Sequence, residues 1–231
     1  MKKKLSQKTI NLILVICSII LIFCFMSAVL IAHFNLKKKD FSMKDHLYDT
    51  LVTIDNDAVS LKESLYYIML MEGEVNEKAI AYDSKNPRIY WNLYINNKYI
   101  RTWAKETVMS IIIRDYIYYH EALSENITLS DEDISQINDD IANILKNMTA
   151  AQMSSANYTE NELFLILSKI AYAKKYIKSV SSKNSSYTED SFNEDGEYYN
   201  SIYNSHSVKI NDKLWENIKL GEITLNYSLQ G

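Results

Sequence analysis

The residues that could carry out chemistry in this chain are few and widely separated. The four histidines stand at positions 33, 46, 120 and 206, with no His-x-x-x-His pair and no closely spaced cysteine and histidine. Zinc sites and phosphate loops need such local motifs, and no glycine-rich loop is present either. The sequence therefore predicts no catalytic residue, no cofactor, no metal ligand and no enzymatic activity. His120, near a predicted helix end, is expected to be a capping or surface residue.

One acidic cluster needs a separate explanation. Asp131, Glu132 and Asp133 follow Ser130 directly, and more carboxylates come a few residues later. Such a group could hold a cation, since carboxylate oxygens are the ligands that calcium prefers. Acidic residues in the first turn of a helix are also stabilised by the helix dipole. The sequence favours the second interpretation, a helix that begins at this point.

Tyrosine is the unusual component of the composition, with 18 residues in 231. Most of these side chains are expected at the edge of a core, with the ring buried and the hydroxyl in water. A second interpretation is a groove of aromatic and methionine side chains that binds unfolded polypeptides through adaptable contacts. The candidate client-binding residues are Tyr66, Tyr67, Met69, Met71, Tyr90, Trp91, Tyr94 and Tyr99.

An uncharged apolar run, residues 12–32, precedes all of these residues. At about 1.5 Å per residue, a helix of this length spans the roughly 30 Å hydrocarbon core of a bilayer. Lysines flank the run on both sides, and a short basic tail before an apolar run is typical of a secretory signal. We expect an uncleaved signal-anchor in the cell membrane, because the run is long and ends in a bulky Leu30-Ile31-Ala32 sequence.

This interpretation divides the chain into four parts. Residues 1–11 form a cytoplasmic basic tail, 12–32 the transmembrane signal-anchor, 33–49 a juxtamembrane linker and 50–231 an extracytoplasmic domain. From residue 45 onward, 17 basic and 28 acidic side chains give a balance of −11, which argues against nucleic acid as a partner. Both cysteines lie within the apolar run, so the domain has no disulfides and depends on its core.

The domain is predicted to be mainly α-helical. It contains few glycines and a single proline, too few for the many turns of a sandwich or barrel. Capping boxes at residues 60–63, 130–133 and 159–162 each precede apolar residues at helical spacing. Residues 99–124 read as a longer helix, apolar on nearly all sides and therefore expected at the centre of a bundle.

Two segments at the ends of the domain alternate between polar and apolar residues. Leu51 to Val59 does so around a polar turn in which Asn56 is suited to left-handed backbone. Val208 to Ile210 and Ile218 to Leu225 do so near the other end, on either side of Trp215. We expect the N-terminal and C-terminal strands, in particular 51–59 and 218–225, to pair in one small antiparallel sheet.

Three stretches of this domain resemble the helical chaperone module of SurA- and PrsA-type extracytoplasmic foldases, which is similar to the C-terminal domain of trigger factor. Residues 53–63, Thr-Ile-Asp-Asn-Asp-Ala-Val-Ser-Leu-Lys-Glu, resemble the opening hairpin and first helix of that module. Residues 120–133, which end in Leu-Ser-Asp-Glu-Asp, are similar to its link between helices, with Asn126 in place of the usual glycine. Residues 215–224 look like its closing strand.

The resemblance implies a chaperone without a catalytic half. Foldases of this kind usually carry a parvulin-like prolyl isomerase domain between the last long helix and the closing segment. Here that interval is a short connector, residues 181–190, which has no room for such a domain. The resemblance therefore implies binding of polypeptides without prolyl isomerase activity.

The sequence thus predicts a membrane-anchored, extracytoplasmic, chaperone-like protein that binds unfolded or partly folded secreted polypeptides. The abundance of Asn, Lys and Ile suggests an AT-rich genome and hence a Gram-positive bacterium. The alternative is a non-catalytic docking module with one fixed partner in a cell-envelope assembly. A third interpretation is an enzyme whose active-site residues are scattered along the sequence, but no nucleophile, metal or phosphate motif supports it.

Overall fold

The computed structural model describes residues 20, 23–27 and 41–226 of the chain. The chain divides into two compact units, Met1–Ser42 and Met43–Gly231, which are considered separately. In the first unit, residue 20 and residues 23–27 are helical. No helix within the described residues is long and apolar enough to cross a membrane. The predicted tail, most of the predicted anchor 12–32 and the first half of the linker lie outside the described residues.

The second unit is mainly helical with a small antiparallel sheet, as the sequence predicted. Its α-helices are α1 (Leu61–Tyr82), α2 (Ile100–Ser124), α3 (Asp131–Asn147), α4 (Ala150–Ala156), α5 (Glu160–Lys183), α6 (Glu197–Tyr203) and α7 (Asp212–Asn217). Its strands are β1 (Thr50–Ile54), β2 (Asp57–Ser60), β3 (Tyr94–Ile95), β4 (Lys98–Tyr99) and β5 (Val208–Ile210). Short 3₁₀ helices cover Met43–His46, Pro87–Asn92 and Glu189–Phe192.

Side-chain caps fix where the helices begin. Capping boxes are complete at Ser130 and Thr159, as predicted, and a further one at Thr149 starts α4. At the start of α1 only half of the predicted box forms. The hydroxyl of Ser60 accepts the backbone N–H of Glu63, but the Glu63 carboxylate turns inward instead of back to the cap.

The inward position of Glu63 joins three helices. The Tyr116 hydroxyl of α2 donates to the Glu63 carboxylate of α1, and Lys169 Nζ of α5 lies 2.8 Å from both groups. Burial, together with the nearby Glu63 charge, raises the pKa of the Tyr116 phenol. Helix α2 therefore lies at the centre of the domain, as its apolar sequence predicted, and it packs most extensively against α5.

The small sheet has the strand order β2-β1-β5, and both pairings are antiparallel. Val52 lies opposite Ile210 and Ile54 opposite Val208, so segments far apart in sequence meet as expected. The residue with positive φ in the β1–β2 turn is Asp55, at 53°, instead of Asn56. Asn126, at 57°, has the left-handed conformation that a helix C-cap favours.

The prediction that Ile218 to Leu225 forms a strand against residues 51–59 is wrong. This segment contains neither helix nor strand, and the C-terminal strand of the sheet is β5 instead. The physical reason is that backbone N–H groups of residues 221–224 donate to the buried carboxylate of Glu72, so they have no strand partner. Gly221, with φ of +88°, also departs from extended geometry.

The connector 181–190 is more ordered than a linker of its composition suggests. Helix α5 continues to Lys183, and Asn184 then accepts the backbone N–H of Ser186 in a side-chain-stabilised turn. The following 3₁₀ helix is anchored in the core, because Phe192 is buried and its carbonyl accepts a 2.9 Å hydrogen bond from the Tyr118 hydroxyl.

Candidate functional site

The eight candidate client-binding residues divide into a buried and an exposed group. Helix α1 runs through the core, so nearly every side chain in its first half is buried. Trp91 is also completely buried, under the segment that contains Gly221. The buried group is Tyr66, Tyr67, Met69, Met71 and Trp91. These five residues stabilise the fold and present no side chain to a partner at the surface. Tyr94 and Tyr99 are exposed, and Tyr90 is half-buried.

The two exposed tyrosines lie in a stretch of the chain that is rich in exposed apolar side chains. Of thirteen large apolar side chains that are exposed in described residues 43–226, seven fall between residues 80 and 103. They come from the end of α1, the 3₁₀ helix Pro87–Asn92, the β3–β4 hairpin and the start of α2. The seven are Ile80, Tyr82, Ile89, Tyr94, Ile95, Tyr99 and Trp103, and we call them the aromatic surface.

Local sequence explains why this segment leaves the core. The carboxylate of Asp83 accepts the backbone N–H groups of Lys85 and Asn86 after α1 ends, and Pro87 then opens the 3₁₀ helix. Asn96 and Asn97 both have positive φ, at 52° and 63°, which is the geometry of a two-residue hairpin turn. The chain therefore folds back on itself outside the main helices.

The hairpin displays different side chains on its two faces. Tyr94 and Tyr99 are paired across the strands with ring centroids 5.1 Å apart, in an edge-to-face arrangement. On the other face, Ile95 and Lys98 form the wall of an open pocket of about 310 Å³. Tyr90, Ile100 and Trp103 also line this pocket.

Charged side chains at the rim of the pocket are paired with one another. Lys78 Nζ lies 2.6 Å from a Glu74 oxygen and 5.8 Å from the centre of the Trp103 ring. Lys98 pairs with Glu106 in the same way. With these charges compensated, the pocket offers an apolar recess with a polar rim, which suits an apolar side chain of a partner.

Sequence reasoning missed five members of the aromatic surface: Ile80, Tyr82, Ile89, Ile95 and Trp103. Trp103 lies in the helix 99–124 that the sequence placed at the centre of the bundle, yet 37% of its surface is exposed. A signal was available. The segment 83–99 combines an Asp-x-x-Asn-Pro turn and an Asn-Asn turn with many large apolar residues, a combination that core helices do not need.

His120, for which the sequence predicted a capping or surface role, is half-buried and faces two carboxylates of the β1–β2 turn. His120 Nε2 lies 3.2 Å from an Asp57 oxygen, and its Nδ1 lies 3.8 Å from Asp55. His206 Nδ1 bonds the same Asp55 carboxylate at 2.7 Å. Burial acts to raise the pKa of Asp55, but hydrogen bonds from His206 and the Ser207 N–H outweigh it and hold that pKa below its ordinary value. This cluster joins the hairpin turn to α2 and the start of β5.

Within the described part of the chain, no three Cys, His, Asp or Glu side chains are arranged to hold a metal ion. Residues 131–133, the cluster for which the sequence left a cation site as an alternative, form the first turn of α3. Ser130 is the N-cap, the Asp133 carboxylate accepts the Ser130 backbone N–H, and Lys175 Nζ lies 2.5 Å from the same carboxylate. These partners hold the pKa of Asp133 well below its ordinary value.

No known protein family, no curated protein and no solved structure matches this chain. The resemblance to the SurA- and PrsA-type chaperone module therefore stays a prediction from the sequence motifs. The aromatic surface, with its pocket and its hairpin, is the candidate functional site.

Proposed function

We propose that this protein is a membrane-anchored, extracytoplasmic, chaperone-like protein that holds unfolded or partly folded secreted polypeptides on its aromatic surface. Residues 12–32 would be its membrane anchor. The observation that carries the proposal is the concentration of exposed apolar side chains between residues 80 and 103. Large contiguous apolar patches on soluble domains are commonly interaction sites.

The chemistry of the aromatic surface suits loose, sequence-tolerant binding. Burial of apolar surface contributes roughly 25 cal/mol per Å², whatever the sequence of the partner. Tyrosine and tryptophan rings provide this area at a low entropic cost, since they have few rotatable bonds. The pocket beside Ile95 adds one position for an apolar side chain. Holding of this kind needs no cofactor and no covalent step.

The test is the suppression of aggregation by the full chain in lipid nanodiscs, measured by light scattering with several unrelated unfolded clients. The surface variant carries three substitutions, Tyr94→Ser, Ile95→Ser and Trp103→Ser. The matched control carries three serines at equally exposed apolar positions elsewhere: Leu123→Ser, Met153→Ser and Leu165→Ser. We expect the wild type and the control variant to suppress aggregation, and the surface variant to lose most of this activity at unchanged helical content.

Two other results would count against the proposal. Equal loss of activity in both variants would show that general surface apolarity, and not this site, is responsible. No suppression by the wild type for any client would favour the alternative, a docking module with one fixed partner in an envelope assembly. In the same samples, a test peptide should interconvert between cis and trans proline at its spontaneous rate, since the proposal includes no isomerase site.

A further inference from the structure

The segment Ile218–Thr224 is buried although it has no regular secondary structure. Ile218, Leu220 and Thr224 are each at most 2% exposed, and the segment runs over α1, α4 and the 3₁₀ helix Pro87–Asn92. A buried segment outside helices and sheets must find other partners for its backbone N–H and C=O groups. Side chains of the rest of the domain supply these partners, and together they form a groove.

A single carboxylate satisfies most of the backbone N–H groups. Glu72, which is completely buried in α1, accepts the N–H groups of Gly221, Glu222 and Ile223 on one oxygen. Its other oxygen accepts both the N–H and the hydroxyl of Thr224. The donor–acceptor distances lie between 2.5 and 3.2 Å. Glu72 forms no ion pair with the described residues, so backbone dipoles and one hydroxyl compensate its charge.

Other side chains of the groove donate to backbone carbonyls of the same segment. Lys105 Nζ donates to the Ile218 carbonyl at 2.9 Å, and the Ser155 hydroxyl donates to the Ile223 carbonyl at 2.5 Å. Side chains therefore bind both backbone N–H groups and backbone carbonyls of the segment. Recognition of a backbone by fixed donors and acceptors is how many peptide-binding sites obtain affinity, while side-chain pockets give specificity.

Two consecutive positions of the segment have specific requirements. A Cβ atom on Gly221 would lie 2.5 Å from the Trp91 ring, and its φ of +88° disfavours any other residue. The next residue, Glu222, forms ion pairs with Arg101 and Arg88 at 3.1 and 3.3 Å. Burial acts to raise the pKa of Glu222, but these two arginines outweigh it and lower that pKa. The groove thus selects glycine followed by an acidic residue.

We propose that the groove around Glu72 is a peptide-binding site, which the chain's own residues Ile218–Thr224 fill in the structure. Its ligand in a partner protein is a segment with the same chemistry and the same turn at glycine: an apolar residue, glycine, an acidic residue, any residue, and threonine or serine. The own segment acts as an intramolecular competitor. Exchange with a partner requires this segment to open first, so substitutions that weaken its own contacts favour binding of the partner.

This inference goes beyond the proposed function, since the groove and the aromatic surface have no residue in common. Each can fail without the other: aggregation suppression tests the aromatic surface, and binding of a defined peptide tests the groove. The probe is a fluorescein-labelled synthetic peptide with the sequence of residues 215–226, and binding to the full chain is read by fluorescence anisotropy.

The decisive variant weakens the chain's own segment and leaves the groove unchanged. It carries Gly221→Ala and Thr224→Val, which place a methyl group against Trp91 and remove the hydroxyl bonded to Glu72. We expect this variant to bind the peptide at least tenfold more tightly than the wild type, whose groove is filled. A peptide that carries the same two substitutions should bind at least tenfold more weakly.

Two further variants complete the test. Addition of Glu72→Gln to the weakened chain should abolish peptide binding, because the amide cannot accept all five donors. If the double variant unfolds, Glu222→Ala replaces it. This substitution removes only the ion pairs with Arg88 and Arg101, so it weakens the chain's own segment less. We expect its affinity for the peptide to lie between those of the wild type and the double variant. The proposal is overturned if the folded variants bind no peptide or bind both peptides equally. It is also overturned if they form dimers that exchange this segment and take up no peptide.

Discussion

At the scale of single residues, the buried carboxylate of Glu72 is the most consequential side chain of the domain. Replacement of Glu72 by glutamine should lower the free energy of unfolding by about 2–4 kcal/mol. The reason is that the buried NH₂ group of the amide would face backbone N–H donors, from which it cannot accept hydrogen bonds. Chemical denaturation measures this loss. The control is Glu74→Gln on the same helix, whose exposed pair with Lys78 should contribute less than about 1 kcal/mol. Equal effects of the two substitutions would contradict this account.

A second residue-scale prediction concerns acid. Burial acts to raise the pKa of Glu162, but its bonds to Lys62 and Thr159 outweigh it and lower that pKa below the ordinary 4.5. A carboxylate with a lowered pKa in the folded state stabilises the fold above its ordinary pKa, and this contribution is lost as the pH falls. The melting temperature of the wild type should therefore drop more between pH 5 and pH 3 than that of Glu162→Gln. Parallel curves would refute the prediction.

At the scale of elements, helices could be predicted from their caps and periodicity. The hydroxyls of Ser130 and Thr159 accept the backbone N–H of the residue three positions later, so the cap is visible in the local sequence. The C-terminal segment could not be predicted in this way. Its alternating pattern favoured a strand, but its conformation is decided by Glu72, which is roughly 150 positions away in sequence. A single buried carboxylate among apolar helix residues carries no local signal of what it binds. The same holds for the pairing of Glu63 with Tyr116 and Lys169.

The β3–β4 hairpin provides the element-scale prediction. The substitutions Asn96→Val and Asn97→Val would strain the turn. Both positions have positive φ, and β-branched side chains disfavour this left-handed backbone conformation. The double substitution should disorder the hairpin and reduce client holding while the melting temperature of the helical core changes little. Glycine at both positions is the control, since it tolerates positive φ and should retain holding. Loss of holding in the glycine variant would contradict the role of backbone geometry.

At the scale of the whole molecule, the architecture could be predicted further than the site. Sequence periodicity indicated a helical domain whose two ends meet in one sheet, and both features are present. The exposure of Trp103 and the burial of Met69 depend on how helices pack, so composition alone placed both on the wrong side of the surface. Aromatic residues give equally favourable sequence signals in a core and at an interface.

The membrane topology is a prediction about the whole chain. With residues 12–32 as an uncleaved anchor and a cytoplasmic N-terminus, protease added to intact protoplasts should degrade the domain. A cytoplasmic protein serves as the control for intact cells. Protection of the domain until lysis would reverse the proposed orientation, and a mature N-terminus near residue 33 would show that the segment is a cleaved signal.

The central claim, that the aromatic surface holds unfolded chains, is tested most directly by site-specific photo-crosslinking. A photoreactive phenylalanine analogue is placed at Tyr99 in the full chain and, as the control, at Leu165, which is similarly exposed. The measured quantity is the crosslinking yield to one purified, unfolded secreted protein and to the same protein after folding. We expect a high yield only from position 99 and only with the unfolded client. Equal yields from positions 99 and 165, or equal yields with folded and unfolded client, would contradict the claim.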